Sequence, residues 1–226
     1  MRSKFDEQLA SLHKELITMG ALCENTIAMS AKALVEGDMK LAGEVSDYAI
    51  RIDRKERKIE AMCMRLLLQQ QPVARDLRTI SSALKMVTDI ERIGNNSWDI
   101  AEIVTMGHIT PSHDKLDIQE MAVAVIRMVT DSIDAFVKND KELARSVIKY
   151  DDVVDAHFDR IKGLLISQLS SLQSDKVTGT ATNGEFILDL LMTAKYFERI
   201  GDHASNIAEW VLFSILGHHE SKNSSD

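Results

Sequence analysis

Glu91 to Glu102 reads ERIGNNSWDIAE, and the same text returns from Glu198 to Glu209 as ERIGDHASNIAE, with Glu, Arg, Ile, Gly, Ile, Ala and Glu matched in place. Upstream, ALVEGDMKLA at Ala33–Ala42 answers to AFVKNDKELA at Ala135–Ala144, each followed by a valine (Val45, Val147) and an aspartate (Asp53, Asp155). Order is kept along with motif, so the chain is two copies of one unit. Gly37-Asp38 and Asn139-Asp140 break the copies alike: a glycine or asparagine stops one helix, and an aspartate caps the next. The second break differs. Copy one turns at QQQPVARD around Pro72, and copy two uses SDKVTGTATNG, where Thr182 and Glu185 stand at capping-box spacing.

These breaks predict an all-α chain of six long helices, arranged as a tandem repeat of two three-helix bundles. The expected divisions are residues 1–106, a linker at 107–113, a second unit at 114–217 and a polar tail at 218–226. Helices of about thirty residues reach roughly 45 Å, so they must lie side by side. In the fourth, Leu116, Val123, Ile126, Val129, Ile133 and Phe136 form the expected buried stripe.

Composition agrees with helices. Two prolines and ten glycines in 226 residues are few for a turn-rich sheet protein, and 45% hydrophobic residues suffice for a core without staples. A net charge of -8 argues against a nucleic-acid backbone or an anionic membrane surface as partner. Cys23 and Cys63 sit in apolar helical contexts without metal-ligand spacing and read as reduced core residues. The charged opening MRSKFDEQLASLHKEL has no apolar signal core, and no run reaches the ~18 apolar residues of a spanning helix. A cytoplasmic protein without membrane insertion is expected.

The repeated motif puts Glu91, Asn95, Asp99 and Glu102 in one arc of its helix, and Glu198, Asp202, Asn206 and Glu209 in the same arc of copy two. Solvated acidic faces usually alternate with Lys or Arg, and like charges four apart cost a few tenths of a kcal/mol. The preceding helix of copy two adds Asp151, Asp155 and Asp159 at spacings of four. Two facing acidic stripes repel unless a cation lies between them. Carboxylates without cysteine suit Mg, Ca or Mn, and helical bundles hold iron this way too. The donor set does not distinguish these ions from one another or from Zn. In copy one the positions of Asp155, Asp159, Glu198 and Asp202 carry Asp53, Arg57, Glu91 and Asn95, and Arg57 is placed to neutralise Asp53 or Glu91. Copy two is therefore expected to hold metal more tightly.

Weaker candidates are Arg75 and Arg78 around Asp76 at a helix start, read as surface pairing before phosphate binding. His203, beside Asp202, is a candidate ligand whose direction favours a packing or surface role; Trp98 and Trp210 read as core or interface residues, and His218 and His219 as tail.

The paired ERIG motifs, the QQQPVARDLR turn and the GD and ND breaks resemble the PhoU family over nearly the whole chain. The resemblance implies two three-helix bundles that restrain phosphate uptake by the high-affinity phosphate ABC transporter, acting on its ATPase, and that restrain the associated sensor histidine kinase. It also implies a homodimer. Some members bind metal clusters through a Glu/Asp-x-x-x-Asp motif, which maps here onto Glu198–Asp202 and Asp155–Asp159. Asn95 and Arg57 depart from it.

Two rivals remain. A di-metal carboxylate oxidase characteristically has Glu-x-x-His on two helices, and no glutamate here has histidine at that spacing; no catalytic set or phosphate-cradling loop emerges either. A metal-free helical adaptor would use the acidic arcs as partner contacts.

Overall fold

The computed structural model describes residues 2–70, 73–107, 116–172 and 181–218. Six helices account for nearly all of them: α1 (Arg2–Glu36), α2 (Met39–Gln70), α3 (Ala74–Thr105), α4 (Leu116–Lys138), α5 (Lys141–Leu172) and α6 (Ala181–Leu216). No strand occurs among the described residues. Pro72, linker positions 108–113, loop positions 174–180, His219 and the end of the tail lie outside them.

The GD and ND breaks work by one mechanism. Gly37 (φ 67) and Asn139 (φ 52) turn left-handed, a conformation glycine and asparagine tolerate best. The next amide then reaches back, Asp38 N–H to Ala33 O and Asp140 N–H to Ala135 O, both at 2.9 Å. Asp38 Oδ1 accepts from the Lys40 and Leu41 amides, and Asp140 Oδ1 from those of Glu142 and Leu143, all at 3.0 Å. Each aspartate thus satisfies two amides that the new helix leaves open. At the start of α6 the sequence reading fails: the helix begins at Ala181, which places Thr182 inside its first turn and not at the cap.

Helix directions follow from the contacts. Cys23 Sγ–H donates to Ile90 O and Ser30 Oγ–H to Ser97 O, each 67 residues along, so α1 and α3 run parallel. Both serve as crossing points where a small side chain brings two helices together. Glu24 with Thr130, and His13 against Phe136, run in opposite order and make α1 and α4 antiparallel. Asp89 with His203, and Lys85 over Trp210, do the same for α3 and α6.

Each set of three helices packs mutually, and the two sets meet through α1 on α4 and α3 on α6. These four helices form a closed ring, with α2 laid over α1 and α3 and α5 over α4 and α6. One core runs through both sets, from Leu12, Met19 and Ile27 in α1 to Phe197, Ile200 and Ile207 in α6. Cys23 and Cys63 are buried and free, and burial pushes both thiols up. The α4 stripe needs one correction. Val129, Ile133 and Phe136 are buried, but Val123 is 67% exposed, because Met121, Ala122 and Val125 face the core in its place. Among the described residues no helix is long and apolar enough to cross a membrane.

Candidate functional site

Each copy carries a brace between its first two helices, and one of the two resembles a metal site. In the first repeat, Glu15 on α1 receives Lys55 at 2.5 Å and Lys58 at 2.6 Å from α2, which lowers its carboxyl below the usual range. The second repeat has Asp117 and Glu120 on α4, with His157 and Arg160 on α5 at the places of Lys55 and Lys58. Asp117, Glu120 and His157 bring their donor atoms within 4.8 Å of one another, the one such trio among the described residues. Arg160 already fills the centre, 3.2 Å from Asp117 and 3.4 Å from His157 Nδ1. With Lys55 and Lys58 in the equivalent role, this trio is a structural ion-pair brace. Sequence reading missed it, although the spacing of three in each helix was visible.

Between α5 and α6 the expected acids do meet. Asp155, exposed at the crevice mouth, is raised by the partial desolvation of its carboxyl, then by Glu198, Asp152 and Asp159, against Lys195. Asp151 is pushed up to about 6 by burial, then by Asp202 and Asp155, with the Ser205 hydroxyl opposing and Glu198 adding to the rise. Gly201 permits this approach: a Cβ there would meet Asp151 Oδ1 and Val154 Cγ1 at 3.3 Å.

Two cations that the arcs did not predict join the cluster. Lys195 pairs with Glu198, and Lys162 with Asp159 at 2.7 Å. Both ammonium groups lie over the Phe158 ring, at 5.6 and 5.5 Å from its centroid. Asp159 and Asp202 are exposed, as is Asn206 one turn further along α6. The second-repeat donors are all oxygens, which fits a hard cation. They are spread more widely than the brace trio, so a metal would have to draw them together.

The equivalent place in the first repeat is a pocket of about 270 Å³. From α2 come Ser46, Ala49, Ile50 and Asp53; from α3 come Glu91, Asn95 and Trp98. Asn95 Nδ2 donates to Glu91 Oε1 at 2.5 Å, and Arg57 pairs with Asp53 at 3.1 Å, as its position suggested. Glu56, which the sequence reading passed over, belongs here. Its carboxyl rises to about 7 through burial and the charges of Glu91, Glu60 and Asp53, with Arg57 opposing.

Asp99, expected with this group, lies elsewhere. Its electrostatic neighbours are Glu102 and, on α6, Arg199 and Tyr196. At roughly 80° around α3 from Glu91 it turns toward the other repeat. Of the core and interface readings of Trp98 the first is excluded: it is 38% exposed and lines the pocket.

His203 Nδ1–H donates to Asp89 Oδ1 at 2.9 Å, in a nearly buried contact that ties α6 to α3 and turns it away from the acidic crevice. Arg78 lies beside Gly217 at the end of α6, its Cζ 3.6 Å from where a Cβ would stand, so its charge meets the negative end of that helix. Arg75 is exposed.

The model of the PhoU domain matches the chain twice, over residues 16–104 and 118–211. A Clostridium acetobutylicum protein named phosphate-specific transport system accessory protein PhoU homolog is 35% identical over 218 residues, covering 96% of each chain. The protein of that name from Pseudomonas aeruginosa is 32% identical, over 95% of this chain and 86% of its own. Among solved structures, PhoU from Pseudomonas aeruginosa superposes with a TM-score of 0.85 at 30% identity, over 95% of this chain and all (100%) of that one. The phosphate transport system regulatory protein PhoU from Streptococcus pneumoniae gives 0.84 at 23% identity and supports the shared fold. Two copies of one helical unit, joined through their first and third helices and matched by the family twice in the same order, make this chain a member of the PhoU family.

Proposed function

We propose that this protein is a non-catalytic, cytoplasmic negative regulator of phosphate uptake and of phosphate-starvation signalling. It acts by binding the ATPase of the phosphate transporter and the sensor histidine kinase, and works as a homodimer. The observation that supports this most is likeness over nearly the full length to relatives named as accessory proteins of phosphate-specific transport. Long helices with exposed faces suit a protein that works by contact.

The second-repeat crevice gives the regulator a place for a hard divalent cation or iron. Asp151, Asp155, Glu198 and Asp202 would hold it, with Asp159 and Asn206 at the margin. A bound cation would supply positive charge to carboxylates that now repel one another. Lys195 holds Glu198 in the meantime, so metal would compete with an internal ammonium.

Deletion of the gene in its native host tests the regulatory reading. Phosphate uptake and alkaline phosphatase expression are expected to escape repression in phosphate-rich medium. Continued repression of both, in a host without a second family member, would leave the fold standing and overturn the function.

A further inference from the structure

The crevices on the two repeats sit at the same place in the fold and are charged differently. In the second, the protein supplies its own cations: Lys162 and Lys195 lie over Phe158 and reach Asp159 and Glu198. In the first, Glu60 replaces Lys162, Thr88 replaces Lys195 and Glu56 replaces Phe158. The lysines are gone, and acids stand where one lysine and the ring were. An aromatic face returns from the other wall, because Trp98 takes the place of Ser205, and Ile50 takes that of Asp152. The result is an apolar pocket flanked by Trp98 and Ile50, which are 38% and 49% exposed, with Asp53 and Glu91 in its lining and Glu56, one turn along α2 from Asp53, within electrostatic reach of both.

We propose that this first-repeat pocket is a docking site for an arginine side chain presented by a partner protein. Its aliphatic stem would lie along Ile50 and Ala49, its guanidinium plane on Trp98, and its N–H groups on Glu91, with the Glu56 carboxyl adding negative charge beside Glu91. The complement is specific. A planar, weakly hydrated guanidinium stacks on an indole and forks onto carboxylates, whereas an ammonium does the first less well and cannot do the second. Arg57 does not fill the pocket: it is three-quarters exposed (75%) and pairs with Asp53 at the rim. A metal fits this crevice poorly, since Ala49 and Asn95 replace Asp151 and Asp202 and two walls are apolar. The proposal deepens the regulatory reading, resting on it only for the existence of a protein partner.

The test uses full-length protein labelled with fluorotryptophan, whose two resonances report Trp98 and Trp210 separately, the assignment coming from Trp98→Phe. The probe is a short alanine-based helical peptide carrying one arginine, with lysine and citrulline counterparts. The arginine peptide is expected to move the Trp98 resonance saturably and leave that of Trp210 in place, with lysine weaker and citrulline silent. Glu56→Gln combined with Glu91→Gln, which removes repulsion and so preserves folding, should weaken arginine binding by about fivefold or more. Arg57→Gln should tighten it. Equal binding of citrulline, or a Trp98 resonance that ignores the peptide, would overturn the proposal. So would a resonance that moves with protein concentration alone, which would give the pocket to a second copy of this chain. A null result here with intact phosphate repression in the host would remove the pocket and leave the regulator.

Discussion

Between α5 and α6 the second repeat gathers Asp151, Asp155, Glu198 and Asp202; between α2 and α3 the first holds Ala49, Asp53, Glu91 and Asn95 at the same positions. Beneath both crevices the structure is alike. Gly94 lies against Ile52 in one, Gly201 against Val154 in the other, and Ile93 and Ile200 are fully buried. A duplicated fold holds constant the residues that set how closely two helices approach, since a lost or added methylene there is felt at once. Residues along the mouth of the same crevice touch solvent on one side and are free to change chemistry. Carboxylate cluster and apolar pocket are two uses of one helix pair.

The largest effect that would separate the repeats is metal-linked. With Mn²⁺ at about 100 times its dissociation constant, the folded protein should gain about 2.7 kcal/mol in thermal melts. Asp155→Asn with Glu198→Gln should abolish the gain, and Asp53→Asn with Glu91→Gln should leave it intact. Equal loss from both pairs would mean the repeats are equivalent metal sites after all.

A smaller difference lies in the glycines. A Cβ at Gly94 would come within 2.8 Å of Ile52 Cδ1 and 3.1 Å of its Cγ2, and Ile52 is buried. Overpacking of that kind costs about 1–3 kcal/mol, while alanine regains roughly 1 kcal/mol of helix propensity. Gly94→Ala should therefore lose about 1 kcal/mol in urea unfolding. At Gly201 the added Cβ would meet Asp151 Oδ1 and Val154 Cγ1 at 3.3 Å, a tight contact that a shift of a few tenths of an ångström relieves, and with alanine's helix propensity in its favour Gly201→Ala should fall within about 0.5 kcal/mol of wild type. Matching losses at both sites would show that the two helix pairs are packed alike.

The smallest effect is the pH dependence. Asp151 is raised from the ordinary aspartate value of 3.8 to about 6, and Glu56 from 4.5 to about 7. A carboxyl raised by folding binds its proton more tightly in the folded state. Its stabilising effect is complete below the unfolded value and is lost as pH rises through the folded one. In metal-free buffer the protein should be more stable at pH 5 than at pH 8. Asp151→Asn should remove its share, about 1 kcal/mol after allowing for solvent screening, or roughly 2–4 °C. Glu56→Gln should act in the same direction about half a unit of pH or more higher, shifted as the two carboxyls are. Burial lowers the His13 imidazole, which works against this trend over the same range, so the check is the difference from wild type: a pH profile left unchanged by both Asp151→Asn and Glu56→Gln would mean that neither carboxyl is raised.

Much of this was open to inspection in the chain itself. Gly37-Asp38 and Asn139-Asp140 dictate a helix stop and a helix start within two residues, and both were readable because left-handed turns and aspartate caps act over one turn of backbone. The repeat doubled the strength of each such signal. Asp155 and Glu198 were placed correctly on facing helices, since periodicity fixes the face of a helix and short connections fix its neighbour.

What the sequence could not say concerns contacts made across the fold. Val123 fits the α4 periodicity and faces solvent; Trp98 and Asp99 are adjacent in sequence and point to different helices. Lys162 and Lys195 come from separate helices to share one ring. The order and type of the helices, their stops and their acidic faces were determined by the sequence, because helix propensity and capping act between residues a few positions apart. The closed ring of α1, α3, α6 and α4, the Asp89–His203 tie across it and the pocket at Trp98 were decided by tertiary structure alone. There the energetics depend on which surfaces remain uncovered once distant helices have packed.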